Sequence, residues 1–270
     1  MDHIDEDLKK KIESTKFVYM VAQSGVGKTF NGDYLQAIRG WKHIDGDIPV
    51  KESKLNSEYK DATEQLFDDY KNKIFQGEEW VDTGAWKAYM KILARLTLEG
   101  ARDSDTVVLT HPSYIRSQRT GLRQYLIDAG AKDVSTVFLH CDFDVHMQSA
   151  WKRTVRQAEQ AGITVEEFQI NLIGLPGIVD FDSYVRAQEY FMSSYDEPDE
   201  SEQPYKMVDV TAKDVMVLDS LDEAFGIENK SRGDLTHEKM VQKIKAVDVK
   251  RDQMMIDSQD DRDEIRVASE

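Results

Sequence analysis

The sequence predicts an α/β protein, a parallel sheet of about five strands flanked by helices, and three observations predict it. Five short apolar runs alternate with stretches of helical periodicity. The first run, Phe17-Val18-Tyr19-Met20-Val21, feeds straight into the glycine turn Ala22-Gln23-Ser24-Gly25-Val26-Gly27-Lys28-Thr29 and then into a helix. With 270 residues, 40% of them hydrophobic and 32% charged, the chain suits one such domain with embellishments.

The elements follow in order. Residues 16–22 read as the first strand and Phe30 to Arg39 as its helix. Trp41 to Asp45 reads as a short second strand ending in Asp45-Gly46-Asp47. Helical spacing covers Lys54 to Phe75 and again Trp86 to Leu98. Thr106 to Thr110 is a buried third strand, and Ser113 to Ala129 a helix stopped by Gly130. Ser135 to His140 is the fourth strand, followed by a helix from Val145 to Gln160. The pattern loosens over residues 162–204, where a lid would sit, with one helical piece from Tyr184 to Tyr195. A fifth strand, Lys206 to Val210, and a helix from Val215 to Phe225 close the domain. The expected organisation is an N-terminal extension over 1–15, a domain over 16–226, and a C-terminal appendage over 227–270. The appendage holds one amphipathic helix near His237 to Val247, whose Met240, Ile244 and Val247 could dock on the body or on a second subunit; it is otherwise expected to add little to the core and to end in disorder from Asp257 to Glu264.

Composition excludes several classes. The formal net charge of −16 repels nucleic-acid backbones, and no basic stripe with interleaved aromatics appears. Residues 227–270 hold 11 acids and 9 bases, so the acidic excess sits on the rest of the chain. No apolar run reaches the ~18 residues of a membrane helix, and the acidic start has no apolar core of a signal or transit peptide. Cys141, the only cysteine, reads as a buried inert thiol in a strand-like run, consistent with a reducing cytoplasm. His3, His43, His140, His146 and His237 lack ligand spacing for zinc. Trp80 and Trp86 read as core.

The glycine turn carries the chemistry. Gly25 and Gly27 let successive N–H groups, including those of Ser24 and Val26, curl toward a polyphosphate. Lys28 adds a charge for the β- and γ-phosphates, the Thr29 hydroxyl suits Mg²⁺, and the helix offers its positive end. Ala22 stands where the stricter motif has its first glycine. The motif implies ATP with Mg²⁺. Asp45 and Asp47 lie on the same rim: Asp45 is assigned to the magnesium shell and Asp47 to an acceptor hydroxyl, as base or orienter. The third strand ends in Thr110-His111, without the aspartate that many such sites have for magnesium. Thr29 and Asp45 are therefore expected to handle the metal, and Lys28, Asp45 and Asp47 to carry catalysis. Arg116, Arg119 and Arg123 share one helix face and, with His111, could grip an anionic acceptor. Lys152, Arg153 and Arg156 could form the basic face of a lid, with Arg153 reaching ATP.

These residues resemble a gluconokinase-type small-molecule kinase on the P-loop, nucleoside-monophosphate-kinase fold, over roughly residues 16–226. The resemblance runs through the glycine turn and Asp45-Gly46-Asp47. It continues through Gly77-Glu78-Glu79-Trp80-Val81-Asp82 with Trp86, Arg119 to Arg123, and Asp142-Phe143-Asp144-Val145 after the fourth strand. Arg153 falls near that family's lid arginine, and Asp196-Glu197-Pro198 lies where its lid returns. Departures stand at Thr110-His111-Pro112-Ser113-Tyr114, at Tyr190-Phe191-Met192 and after Arg153, where no His-Phe pair follows. Those positions shape the acceptor pocket and lid, so the resemblance implies a kinase without implying gluconate. The tandem glycines of a shikimate kinase are absent near the third strand.

Three readings are carried forward: a kinase of a small, polar or anionic metabolite; a nucleotide kinase that grips a phosphate with Arg119 and Arg123; and a non-catalytic ATP-binding regulator. The partners expected are a small-molecule acceptor, no nucleic acid and no membrane, with a homodimer left open.

Overall fold

The computed structural model describes residues 4–53, 56–70, 84, 86–193, 195–212, 215–227, 235–236 and 238–247. In chain order the elements are α1 (Glu6–Ser14), β1 (Lys16–Val21), α2 (Lys28–Arg39), β2 (Lys42–Asp45), α3 (Ile48–Lys51), α4 (Ser57–Tyr70), α5 (Trp86–Glu99), β3 (Thr106–His111), α6 (Arg116–Asp128), β4 (Asp133–His140), α7 (Phe143–Ala161), α8 (Val165–Ile173), α9 (Phe181–Met192), β5 (Tyr205–Asp209) and α10 (Val215–Ala224). A last helix, α11, covers residues 238–247.

The sheet is parallel throughout, in the order β2-β3-β1-β4-β5. Alternation along the central β1 sends Phe17, Tyr19 and Val21 to one face, and Val18 and Met20 to the other. The first face packs against Leu8 and Ile12 of α1, Leu66 of α4, Leu93 of α5 and Leu122 of α6. The second is covered by Tyr34 and Leu35 of α2 and by Leu218 and Leu221 of α10. A buried ion pair ties those two helices: Asp222 accepts from the Tyr34 hydroxyl at 2.7 Å and from Arg39 Nε at 3.0 Å. Helices on both faces leave the carboxyl ends of β1, β2 and β3 as the open rim, where the glycine turn emerges. This is the P-loop, nucleoside-monophosphate-kinase-like α/β fold.

The apolar runs mark all five strands. β4 begins at Asp133 rather than Ser135, because its pairing with β1 extends down to Lys16. α6 starts at Arg116 instead of Ser113, since Ile115 is still extended and the Ser113 carbonyl is taken by a side chain. Of the helix expected over 54–75, Ser57–Tyr70 is helical, and residues 54–55 and 71–75 lie outside the described residues. The expected Gly77–Asp82 motif, Trp80 and the 257–264 segment also lie outside them.

Four features depart from the expectations. α1 was not anticipated, yet its Leu8 and Ile12 are fully buried. α8 was missed although Thr164 and Glu167 form a reciprocal capping box at its start. Cys141 lies just beyond β4 and is half-buried rather than buried in a strand. The tail contributes to the core after all: Met240 and Ile244 are only 3% and 2% exposed, and pack with the α2–α10 face.

Candidate active site

The turn between β1 and α2 is held open by conformation and by neighbours. Gly25 and Gly27 have φ of 91° and 112°, values that L side chains rarely adopt. A Cβ on Gly25 would also meet Ala150 Cβ at 3.2 Å and His146 Nε2 at 3.3 Å. His146, buried on α7, uses that Nε2 to donate to the Ser24 carbonyl at 2.7 Å, and the Ser24 N–H donates to the Tyr114 hydroxyl at 3.3 Å. The loop is thus clamped from outside, and its concave side stays clear. Lys28 folds across it and donates to the Gln23 carbonyl at 3.0 Å. Val26 turns its side chain into the core and its N–H to the Gln23 carbonyl, 3.3 Å away, so it stands apart from the other loop residues assigned to ATP.

The loop opens onto a cavity of about 210 Å³ lined by Ser24, Gly25, Gly27, Lys28, Thr29 and Phe30, by Asp45 and Asp47, and by Thr110, Pro112 and Arg153. The expected loop, metal and catalytic groups converge there, with Arg153 of α7 added from across the cleft. Lys152 and Arg156 do not line it. Phe30, Thr110 and Pro112 were not anticipated as lining residues.

The charges in this cavity are mutually poised. Burial would raise the Asp45 carboxyl, but Lys51, whose Nζ is 3.0 Å away, and the Asp47 N–H at 3.1 Å prevail and hold it below the ordinary carboxylate range. Asp47 goes the other way. Enclosure by protein and repulsion from Asp45 raise it, against the pull of Lys28, Lys51 and Arg153. Burial pushes the Lys28 ammonium down to about 8, with Arg153 acting in the same sense. Lys51 was overlooked in the sequence. Its signal is its position at the end of α3, one helical turn beyond Asp47, with Pro49 pre-setting the first turn.

The substrate-binding assignments fare differently. Arg119 is almost wholly buried, and all five of its N–H donors are engaged. Nε and Nη2 grip the Glu202 carboxylate at 2.6 and 2.8 Å, Nη1 donates to the Ser113 and Tyr114 carbonyls, and Nη2 also donates to the Asp196 carbonyl. Arg116 pairs with Asp199 at 2.7 Å and donates to the Glu197 carbonyl, while its own backbone N–H is accepted by Asp196. Arg123 donates to the Gln203 carbonyl. None of the three lines the cavity. The correction is physical: all three latch the segment 196–203 onto α6, and Arg119 has no donor left for an acceptor. His111 is likewise turned inward. Its Nδ1 meets Ser113 Oγ at 2.7 Å, its ring packs on Tyr89, and burial together with Lys28 pushes it down to about 3. It is a neutral core imidazole. Trp86 is core, its ring lying over Gly121 of α6.

In the segment expected to form a lid, α9 packs back on α7 in a small core of Met147, Ala150, Ile178 and Tyr184. Tyr190, Phe191 and Met192 fall in the last turn of α9. No helix among the described residues is long and apolar enough to cross a membrane.

Neither a family model nor a curated protein matches the chain. Among solved structures it is similar to a tunicamycin resistance protein from Deinococcus radiodurans at 10% identity, covering 79% of this chain and 97% of that one with a TM-score of 0.39. It is similar to a sugar kinase from a Janibacter species at 14% identity, covering 80% and 98% with a TM-score of 0.47. It is also similar to a gluconokinase from Sinorhizobium meliloti at 19% identity, covering 79% of this chain and 95% of that chain with a TM-score of 0.41.

Proposed function

We propose that this chain is a small-molecule kinase that moves the γ-phosphate of ATP to a hydroxyl of a polar or anionic metabolite of the sugar-acid kind. The observation that carries the reading is the convergence of Lys28, Asp45, Asp47 and Arg153 with the glycine turn on one cavity, so that cations and carboxylates line the same space. Lys28 and the loop N–H groups of Gly25 and Gly27 hold the β- and γ-phosphates, and Arg153 adds charge from α7 where the transferring group becomes more anionic. Asp47 orients the acceptor hydroxyl and takes its proton.

Magnesium fits the donor set. Among the described residues no cluster of His, Cys, Asp or Glu could hold a metal by itself. An ion that arrives on its nucleotide needs only one or two protein oxygens, which Thr29 and Asp45 supply at the cavity wall. When bound, it neutralises charge on the phosphates. A cytoplasmic setting, where ATP and Mg²⁺ are abundant, suits such an enzyme.

The nucleotide-kinase alternative needed Arg119 and Arg123 for a nucleotide phosphate, and both are engaged elsewhere. A screen of sugar acids, sugars, amino alcohols and nucleoside monophosphates, read as acceptor-dependent ADP release, tests the proposal. Release with a hydroxylated metabolite is the expected result. Tight ATP binding with no acceptor-dependent release across the panel would leave the regulator reading instead.

A further inference from the structure

Side chains hold both backbone groups of Ser24. The Tyr114 hydroxyl accepts its N–H at 3.3 Å, and His146 Nε2 donates to its carbonyl at 2.7 Å. A carbonyl only accepts, so Nε2 carries a proton whatever the charge of the ring. His146 is only 2% exposed, and a Cβ on Gly25 would lie 3.3 Å from that nitrogen. Ser24 and Gly25 line the phosphate cavity, and His146 does not. Its hydrogen bond therefore acts on the loop and not on a ligand.

We infer that His146 is a positioning residue that aims the Gly25 N–H at the phosphates by anchoring the Ser24 carbonyl to α7. The carbonyl of Ser24 and the N–H of Gly25 belong to one trans peptide, so they point in opposite directions. With the oxygen held on the His146 ring, the N–H leaves on the side away from that ring. It is also the donor left open at this end of the loop. The Ser24 N–H is taken by Tyr114 and the Val26 N–H by the Gln23 carbonyl, while among the described residues the Gly25 N–H meets no acceptor. A peptide that enters a glycine at φ 91° turns over easily, because glycine bears both orientations. Turned over, it would offer the phosphates a carbonyl oxygen in place of a donor. The same face of α7 carries Arg153, seven residues on, so one helix both sets the loop and adds charge opposite it.

The inference rests on the loop being a phosphate site, so its test reads phosphate binding without turnover. Calorimetry on the full chain gives affinities for inorganic tripolyphosphate and for a non-hydrolysable ATP analogue with Mg²⁺. His146→Gln and His146→Asn present the same amide, but only the longer side chain reaches the position of Nε2. His146→Gln should bind both probes within about twofold of the parent. His146→Asn should bind them about tenfold more weakly, as expected for losing a hydrogen bond to a charged group. In the parent the Gly25 amide proton resonance should move downfield when tripolyphosphate is added, and in His146→Asn it should not. Affinities that fail to separate His146→Gln from His146→Asn overturn the inference and leave the phosphate-site reading standing. So does a Gly25 resonance that ignores tripolyphosphate in a parent that binds it. A parent that binds neither probe removes the site reading and the inference with it. Thermal melts establish that folded proteins are being compared, and the parent's Gly25 resonance decides the matter alone if the variants do not fold.

Discussion

The phosphate-loop corner and the 196–203 latch are both rich in charge, and the sequence marks arginines or lysines in each as ligand-binding. They differ in what their donors already hold. At the latch, Arg119 has all five N–H groups engaged, two of them on Glu202, and Asp196 and Asp199 serve Arg116. At the loop, Lys28 has a single carbonyl partner, Arg153 faces open cavity, and two carboxylates sit close enough to disturb each other. A saturated cation with buried partners holds the chain together; an undersaturated one beside a raised carboxylate is poised for a ligand.

The largest effect tests the latch. Arg119→Met leaves the buried Glu202 with only the longer 3.6 Å contact to Arg116 Nε, at a cost of about 3 kcal/mol in stability. Urea unfolding should show the loss, and the protein that remains folded should keep its KM for the acceptor. A variant with parental stability and a sharply raised KM would return Arg119 to the acceptor site.

The loop should behave in the opposite way. Lys28→Ala removes charge from the developing phosphate transition state and should lower kcat/KM by about 10²-fold or more, with little change in melting temperature. Unchanged kcat/KM would sink the phosphate-loop assignment and with it the contrast between the two corners.

Asp47 sharpens the same contrast through pH. Although the side chain reaches solvent, its folded-state pKa is raised, first by the desolvating protein around it and then by Asp45, so the folded protein keeps that proton to higher pH than the unfolded chain does. Raising pH through that interval therefore costs stability. Asp47→Asn removes the cost. Its melting temperature should exceed the parent's above the carboxylate range and converge with it in acid. Its kcat should fall by about 10²-fold, and the parent's kcat/KM should decline as pH drops and Asp47 protonates. A variant less stable at neutral pH would mean that Asp47 is an ordinary turn carboxylate.

What the sequence could reveal followed the reach of each interaction. Residues 17–29 and Asp45-Gly46-Asp47 are local patterns in which strand, turn and helix are consecutive, so both the fold and most of the cavity were legible. Arg119 was misread because its decisive partner, Glu202, lies 83 residues away, and an i, i+3, i+7 spacing shows only that residues share a face, not what lies opposite. The grip of His146 on Ser24 was illegible for the same reason, its two ends standing 122 residues apart. α8 was legible and overlooked: Thr164 and Glu167 stand at capping-box spacing.

The smallest effect on chemistry is expected at the tail. α11 lies on the α2–α10 face, and its contribution is Met240 and Ile244 in one cluster with Leu35, Leu218 and Leu221. Helix spacing puts the two residues one turn apart on the same stripe, which explains how a segment with nearly balanced charge still docks. Ile244→Ala removes buried methyl groups under a helix that can relax toward the body, so the loss should lie near the low end for such a change, about 2 kcal/mol. kcat and KM should remain at parental values, since every proposed catalytic group precedes residue 160. Ending the chain at Asn229 should repeat that pattern more strongly, with lower thermal stability and the same turnover in the folded protein. Turnover lost from a folded, truncated chain would show that the tail reaches the active rim; unchanged stability in both variants would show that α11 merely rests on the surface.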